Sequence, residues 1–208
     1  MTPQAALDQG LGELKLALPD SARGKLVAYL ELLAKWNRTF NLTAIRDPLQ
    51  MVSHHVLDSL AVLGELPAGR LADIGSGAGL PGIPIAIAEP ERPVVLLEAS
   101  EKKGSFLRQA VIELGLANSA VHIGRAEAWR PIEQFAVVIS RAFAELVEFI
   151  TCCRHLVAEG GVLAAMKAGH PHEELARAAS DCDCSDVRRL AVPLLDAERH
   201  LVLCRLKS

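Results

Sequence analysis

Aromatic side chains are scarce in this chain: five Phe, two Trp and one Tyr in 208 residues. That is too few to build a sheet on which successive bases stack, which excludes a general single-strand-binding surface. An excess of positive charge is missing as well. Lys and Arg total 22 against 25 Asp and Glu, a net charge of -3, so broad polyelectrolyte binding to nucleic acid is not written into the composition. A narrow, site-specific RNA contact stays compatible with it. No apolar run reaches the ~18 residues of a membrane-spanning helix. The first residues carry Asp8, Glu13 and Lys15 with no basic flank ahead of an apolar stretch, so a cytosolic location is expected and a signal peptide is not. The five cysteines follow no framework spacing, which predicts free thiols rather than disulfides.

What is abundant is hydrophobicity, 50% of the residues, and it comes in two patterns. Up to about Leu66 the period is helical. Leu26, Leu30, Leu33 and Trp36, then Val52, Val56, Leu57 and Leu60, predict two or three helices with breaks near Pro19-Asp20 and Asp47-Pro48. From Arg70 onward short apolar runs at 71–75, 94–98, 120–123, 136–140 and 161–166 alternate with helical stretches beginning near Leu80, Lys102, Ala144 and Pro171. That rhythm predicts a mainly parallel sheet with helices on both faces. Two more runs, 187–194 and 199–207, are joined by a short acidic turn at Asp196. No crossover helix fits between them, so they must pair antiparallel, giving a seven-stranded sheet with one antiparallel strand. The length allows one full domain plus a small appendage, read as a helical cap over 1–66 and an α/β domain over 67–208.

The strongest local signal is LADIGSGAGLPGIPIAIAEP at 71–90. A strand carrying Asp73 runs into Gly75, Gly77 and Gly79, then into a helix whose first turn holds Pro81, where a missing N–H costs little. Gly77, Gly79 and Gly82 also satisfy the dinucleotide pattern G-x-G-x-x-G, so the pattern alone leaves the cofactor open. Charge separates the candidates. A pyrophosphate would be repelled by Asp73, whereas the ammonium and sulfonium of S-adenosylmethionine would be favoured. Glu98 ends the second strand, where a carboxylate can accept both hydroxyls of a ribose, and GRAEAW at 124–129 follows the third strand, where it can border an adenine.

On the stretches WNRTFNLTAIRD (36–47), HHVLDSLAV (54–62), ADIGSGAGLPGIPIAIAEP (72–90), LLEASEKKGSFL (96–107), GRAE (124–127) and SRAF (140–143), the sequence resembles the RsmG, or GidB, family. These are bacterial methyltransferases that make 7-methylguanine in the 530 loop of 16S rRNA. The glycine turn is common to all class I methyltransferases; NLTAIRD, HHVLDSL and SRAF point to this family. The resemblance implies a class I, Rossmann-like fold with an N-terminal helical cap and S-adenosylmethionine as cofactor. It also implies guanine 527 of 16S rRNA in the small ribosomal subunit as substrate, with no metal and a monomeric enzyme. Gly75, Gly77, Gly79 and Leu80 would then line the methionine end of the cofactor, Glu98 its ribose, and Ala126 and Glu127 its adenine. Asn41, His55, Asp58, Arg125 and Arg141 would line the active-site mouth, with Arg141, His55 and Asn41 as its catalytic residues and Arg141 also touching the cofactor.

Guanine N7 has a free lone pair and loses no proton on methylation, so the reaction needs no general base at that atom. It needs alignment, an effect that reaches ~7 to 11 kcal/mol in well-oriented systems. In keeping with this, the fourth strand ends in SRAF, with neither the Asn-Pro-Pro-aromatic element used on exocyclic amines nor the Pro-Cys nucleophile used on pyrimidine C5. Arg141 can grip guanine O6 or phosphate in a bidentate fork, or form an ion pair with Glu127 or Asp58, or both. His54 and Asp58, four apart, can face each other, while the adjacent His54 and His55 diverge and make a poor metal pair. Lys102, Lys103 and Arg108 with Lys35, Arg38 and Arg46 form either a basic rim or scattered solvated charges. Thr151-Cys152-Cys153 reads as helix packing, and DCDCSD at 181–186 lacks the second pair that a zinc site needs. Two alternatives remain open: a class I methyltransferase of small molecules or proteins, and a non-catalytic Rossmann module that binds a nucleotide.

Overall fold

The computed structural model describes residues 1–141, 143, 145–178 and 182–207. Two helices open the chain, α1 (Pro3–Glu13) and α2 (Asp20–Phe40). Thr2 caps the first by accepting from Ala5 N, and the second stops where Asn41 takes a left-handed φ of 50°. A third helical segment starts as α3 (Pro48–Met51), passes through a π-helical stretch, Val52–Leu57, and ends as α4 (Asp58–Leu60). Then come β1 (Leu71–Ile74), α5 (Gly82–Ala88), β2 (Val94–Glu98), α6 (Glu101–Glu113), β3 (Ser119–Ile123), β4 (Phe135–Ser140) and α7 (Leu146–Cys153). The chain finishes with β5 (Val157–Lys167), α8 (His172–Ala178), β6 (Cys182–Leu190) and β7 (Arg199–Leu206).

The strands form one seven-stranded sheet in the order β3-β2-β1-β4-β5-β7-β6, with β7 antiparallel to both its neighbours. The chain leaves β1 toward β2 and β3, then returns to place β4 on the other side of β1. That reversal opens a crevice at the carboxyl ends of β1 and β4, where open α/β sheets bind ligands. Strand alternation divides the core in two. Leu71, Leu96, Val137 and Ile139 face the N-terminal helices with α5 and α6, sharing one cluster with Leu7, Leu26, Tyr29 and Leu57. Ala72, Ile74, Leu97 and Val138 face α7 and α8. The N-terminal helices therefore pack on the sheet through a common core. Tyr29 on α2 is fully buried and donates its hydroxyl proton to Ala78 O at 2.7 Å, tying the helical cap to the glycine turn.

Several elements differ from the sequence reading. The sixth strand runs from Cys182 to Leu190 rather than over 187–194. Cys182 and Cys184 are buried and Asp183 and Ser185 exposed, so DCDCSD is an alternating strand. Pro193, with no N–H for a ladder, falls beyond its end. In the register that sets Asp183 opposite Arg205, Cys184 stands opposite Cys204, and the two sulfurs are bonded, which corrects the expectation of free thiols throughout. Pro81 is not inside the helix: it precedes Gly82 at the N-cap, after a cis Leu80-Pro81 bond. The fifth strand begins at Val157, four residues early. Ala144, the expected start of the helix described here from Leu146, lies outside the described residues, as do Ala142 of SRAF and Asp181 of DCDCSD.

Candidate active site at the carboxyl edge of the sheet

The glycine turn is held from below. Gly75 N and Ser76 N both donate to Leu97 O, carrying the β1–β2 ladder one step past the strand, and Ser76 O accepts from Gly79 N and Leu80 N. Gly75, Gly77 and Gly79 all have positive φ, but they serve different ends. A Cβ on Gly79 would collide with Ile83 Cδ1 and sit 3.2 Å from Leu107 Cδ2, so that glycine is required by packing. A Cβ on Gly77 would meet nothing nearer than Gly75 O at 3.8 Å, so only its φ of 58° demands glycine, and the space above it is open. Glu98, buried at the end of β2, turns into this loop. Its Oε2 accepts from Gly77 N at 2.8 Å and its Oε1 from Ser100 N at 2.9 Å.

Asp73 does not reach the crevice surface. It has no exposure, its Oδ2 accepts from Gly82 N at 2.9 Å, and its Oδ1 has no partner among the described residues. Burial pushes its pKa up to about 7, against the pull of the Gly82 N–H. Asp73, expected among the cofactor-binding residues, thus lies beneath the turn rather than on the crevice surface. An orphaned carboxylate oxygen under a turn of left-handed glycines is electrostatically suited to a cationic group above it.

Beside the turn lies a cleft of about 400 Å³ lined by Gly75, Glu98, Arg125, Ala126, Glu127 and Phe143, among others. The expected ribose and adenine residues therefore share one wall. Leu80 does not join them, because its side chain is buried in the core cluster on the α2 face. Cys152 of α7 borders this cleft while Cys153 is buried behind it.

A second cavity of about 290 Å³ is lined by His54, His55, Asp58, Arg141, Lys167 and Arg199, with Ile45 and Met166. Phe143 joins the two: its ring borders the first cleft and its carbonyl accepts from Lys167 Nζ at 3.2 Å. Asp58 is buried at the centre. Its Oδ2 accepts from Arg141 Nη1 at 3.1 Å and its Oδ1 from Arg199 Nε at 3.0 Å. Arg141 Nη1 also donates to His54 O. Asp58 therefore faces two guanidinium groups and not His54, whose Nδ1 lies against Ser53 Oγ and Gln50 O. The π-helical stretch accounts for this, since it shifts the i,i+4 facing of a regular helix. His55 Nε2 meets Thr43 Oγ1 at 2.9 Å. Burial, then Arg141, lower its pKa to about 4, so it is neutral at pH 7.

Asn41 is exposed, accepts from Arg46 Nη2 and lines neither cavity. The asparagine that orders this loop is Asn37, buried on α2, whose Oδ1 accepts from Thr43 N and whose Nδ2 donates to Ile45 O. Three of the basic residues weighed as a rim have protein neighbours. Lys102 lies over the Phe40 ring, Arg108 is 4.0 Å from Glu101, and Arg46 turns to Asn41.

Residues 22–202 match the family model described as GidB, rRNA small subunit methyltransferase G. The chain belongs to that family. Over 202 residues it is 52% identical to the ribosomal RNA small subunit methyltransferase G of Laribacter hongkongensis, covering 97% of this chain and 98% of that one. The protein of the same name from Chromobacterium violaceum is 50% identical over 95% of each. Among solved structures, the glycopeptide N-methyltransferase MtfA complexed with S-adenosylmethionine aligns with a TM-score of 0.62 at 12% identity, over 74% of this chain and 88% of that one. This last likeness speaks to the fold, which is that of the class I methyltransferases.

Four residues at this candidate site escaped the sequence reading: Asn37, Thr43, Lys167 and Arg199. Asn37 and Thr43 lie inside WNRTFNLTAIRD, where polar residues in an apolar helix-to-loop junction were a usable signal. Arg199 had none, because a basic residue opening a terminal strand reads as solvated charge.

Proposed function

We propose that this methyltransferase modifies N7 of guanine 527 in the 530 loop of 16S rRNA, within the small ribosomal subunit. Its cofactor is S-adenosylmethionine, which when bound supplies an electrophilic methyl group on a sulfonium. Gly75, Gly77 and Gly79 hold the methionine end, Glu98 accepts from the ribose hydroxyls, and Ala126 and Glu127 flank the adenine. Asp73 supports the cationic end electrostatically from below, consistent with its orphaned Oδ1.

The observation that carries the choice of acceptor atom is the set of hydrogen bonds and ion pairs that already occupy the second cavity. Arg141, Arg199 and Lys167 line it; Asp58 pairs with the two arginines and Glu174 with the lysine, so three cations face two carboxylates and leave a positive excess that suits a nucleotide of a polyanion. Among the described lining residues the one carboxylate, Asp58, is committed to two guanidinium groups, and His55 is held neutral with its Nε2 on Thr43. Neither is free to act as a general base, and N7 requires none. Arg141 spends only Nη1 on protein partners among the described residues, leaving Nε and Nη2 for guanine O6 or a phosphate. Thr43, through His55, and Asp58, through Arg141, act as positioning residues. Among the described residues no helix is long and apolar enough to cross a membrane; the reading takes the protein as a cytoplasmic monomer.

The test is methyl transfer from tritiated S-adenosylmethionine to small subunits lacking the modification, followed by borohydride reduction and aniline scission to map 7-methylguanine. A single scission at guanine 527 is expected. Label in RNA at another base, or no label in RNA, refutes the proposal.

A further inference from the structure

The edge of the sheet that carries both cavities also carries three histidines not used above. His170 lies in the connection after β5, His172 opens α8, and His200 stands on β7 opposite Lys167. The rings of His170 and His172 meet at a tilt, with centroids 3.8 Å apart and planes inclined by 31°. His170 meets His200 edge-on at 5.3 Å and 78°. His200 is buried, so it fixes the pair from beneath, whereas His170 and His172 are exposed. The result is a solvent-facing aromatic surface in a chain that has few aromatic residues to spend.

Its position matters as much as its composition. Lys167 and Ala168 line the second cavity, and Ala168 is two residues from His170, a reach of at most ~7 Å. Arg199, which lines the same cavity, precedes His200 on β7, so strand alternation sends the two side chains to opposite faces of the sheet, and His200 meets His170 on the face of α7 and α8. A nucleotide held in that cavity must leave its stack, and the base beside it then loses a stacking partner. Exposed rings within that reach of the cavity can replace that partner irrespective of base identity.

We propose that His170 and His172 form a stacking platform for the unpaired RNA base adjoining the methylated guanine. The proposal rests on the RNA-methylating reading above. Desolvation, then the neighbouring charges of His172 and His200, hold the pKa of His170 below its usual value.

The experiment measures steady-state methylation of undermethylated small subunits by the wild type, the double variant H170A/H172A and the double variant H170F/H172F. The alanine pair should raise KM for the particle by at least about fivefold, with a much smaller change in kcat. Its calorimetric affinity for S-adenosylhomocysteine should match wild type, which reports a folded cofactor cleft. The phenylalanine pair should restore KM, because stacking survives the loss of the imidazole nitrogens. Unchanged KM in the alanine pair, or a phenylalanine pair as impaired as the alanine pair, overturns the platform while leaving the methylation reading intact. Failure of the wild type to label RNA overturns both.

Discussion

Replacing Asp58 by alanine tests the node on which the second cavity is built. The carboxylate is buried and bridges Arg141 and Arg199, whose side chains keep 28% and 19% exposure. Removing one partner of a buried ion pair costs ~3 to 5 kcal/mol, because it leaves an uncompensated charge. Here two guanidinium groups would face each other, but both retain some water, so the lower end, about 3 kcal/mol, is expected. For a domain of this size each kcal/mol lowers Tm by ~2 to 4 °C, so Tm should fall by roughly 6 to 12 °C. The clean assay is a double-mutant cycle in urea with Asp58→Ala, Arg199→Ala and the pair. Once Asp58 is gone, Arg199→Ala should cost little or even stabilise, giving a coupling of ~1 to 3 kcal/mol. Turnover on small subunits should fall as well, since among the described residues Arg141 keeps only its bond to His54 O. An Asp58→Ala protein within ~1 kcal/mol of wild type, or additive effects of the two substitutions, would refute the bridging role.

Glu98→Ala should weaken S-adenosylhomocysteine binding roughly ten- to hundredfold by calorimetry, through lost charge-assisted hydrogen bonds; unchanged affinity would remove Glu98 from the ribose. Because Gly77 N and Ser100 N also lose their acceptor, Tm should drop in the same variant. Asp73 has its folded pKa raised to about 7 from 3.8, so its neutral form is favoured in the fold. Its contribution to stability is complete below the unfolded pKa and disappears as pH rises through 7. Asp73→Asn should therefore gain stability relative to wild type between pH 5 and pH 8 in urea titrations; a constant difference across that range would contradict the burial argument. Gly79→Ala should destabilise more than Gly77→Ala, since both strain φ but only Gly79 meets Ile83 and Leu107. Equal losses in thermal melts would sink that distinction.

Much of the architecture was legible before any tertiary information. The change of period at Arg70 marked where helices give way to strands, since a strand buried on both faces must be apolar without interruption. The glycine turn was legible because positive φ is a local demand that glycine meets at least cost. The terminal antiparallel pair followed from loop length alone. The start of β6 was missed because DCDCSD carries strand alternation in residues of low strand propensity, which only pairing with β7 makes stable.

The sequence by itself determined what is local: element types and order, the turn at 75–79 and the carboxylate ending β2. Only the tertiary structure decided what depends on distant partners. Asp58 and Arg199, 141 residues apart, meet because β7 returns antiparallel beside β5. Asn37 rather than Asn41 braces the mouth because the helix presents one to the core and the other to water. Asp73 lies beneath the turn because Gly82 N claims it. Each of these is set by burial and by competition for a hydrogen-bond partner, and neither is encoded in the spacing of residues along the chain.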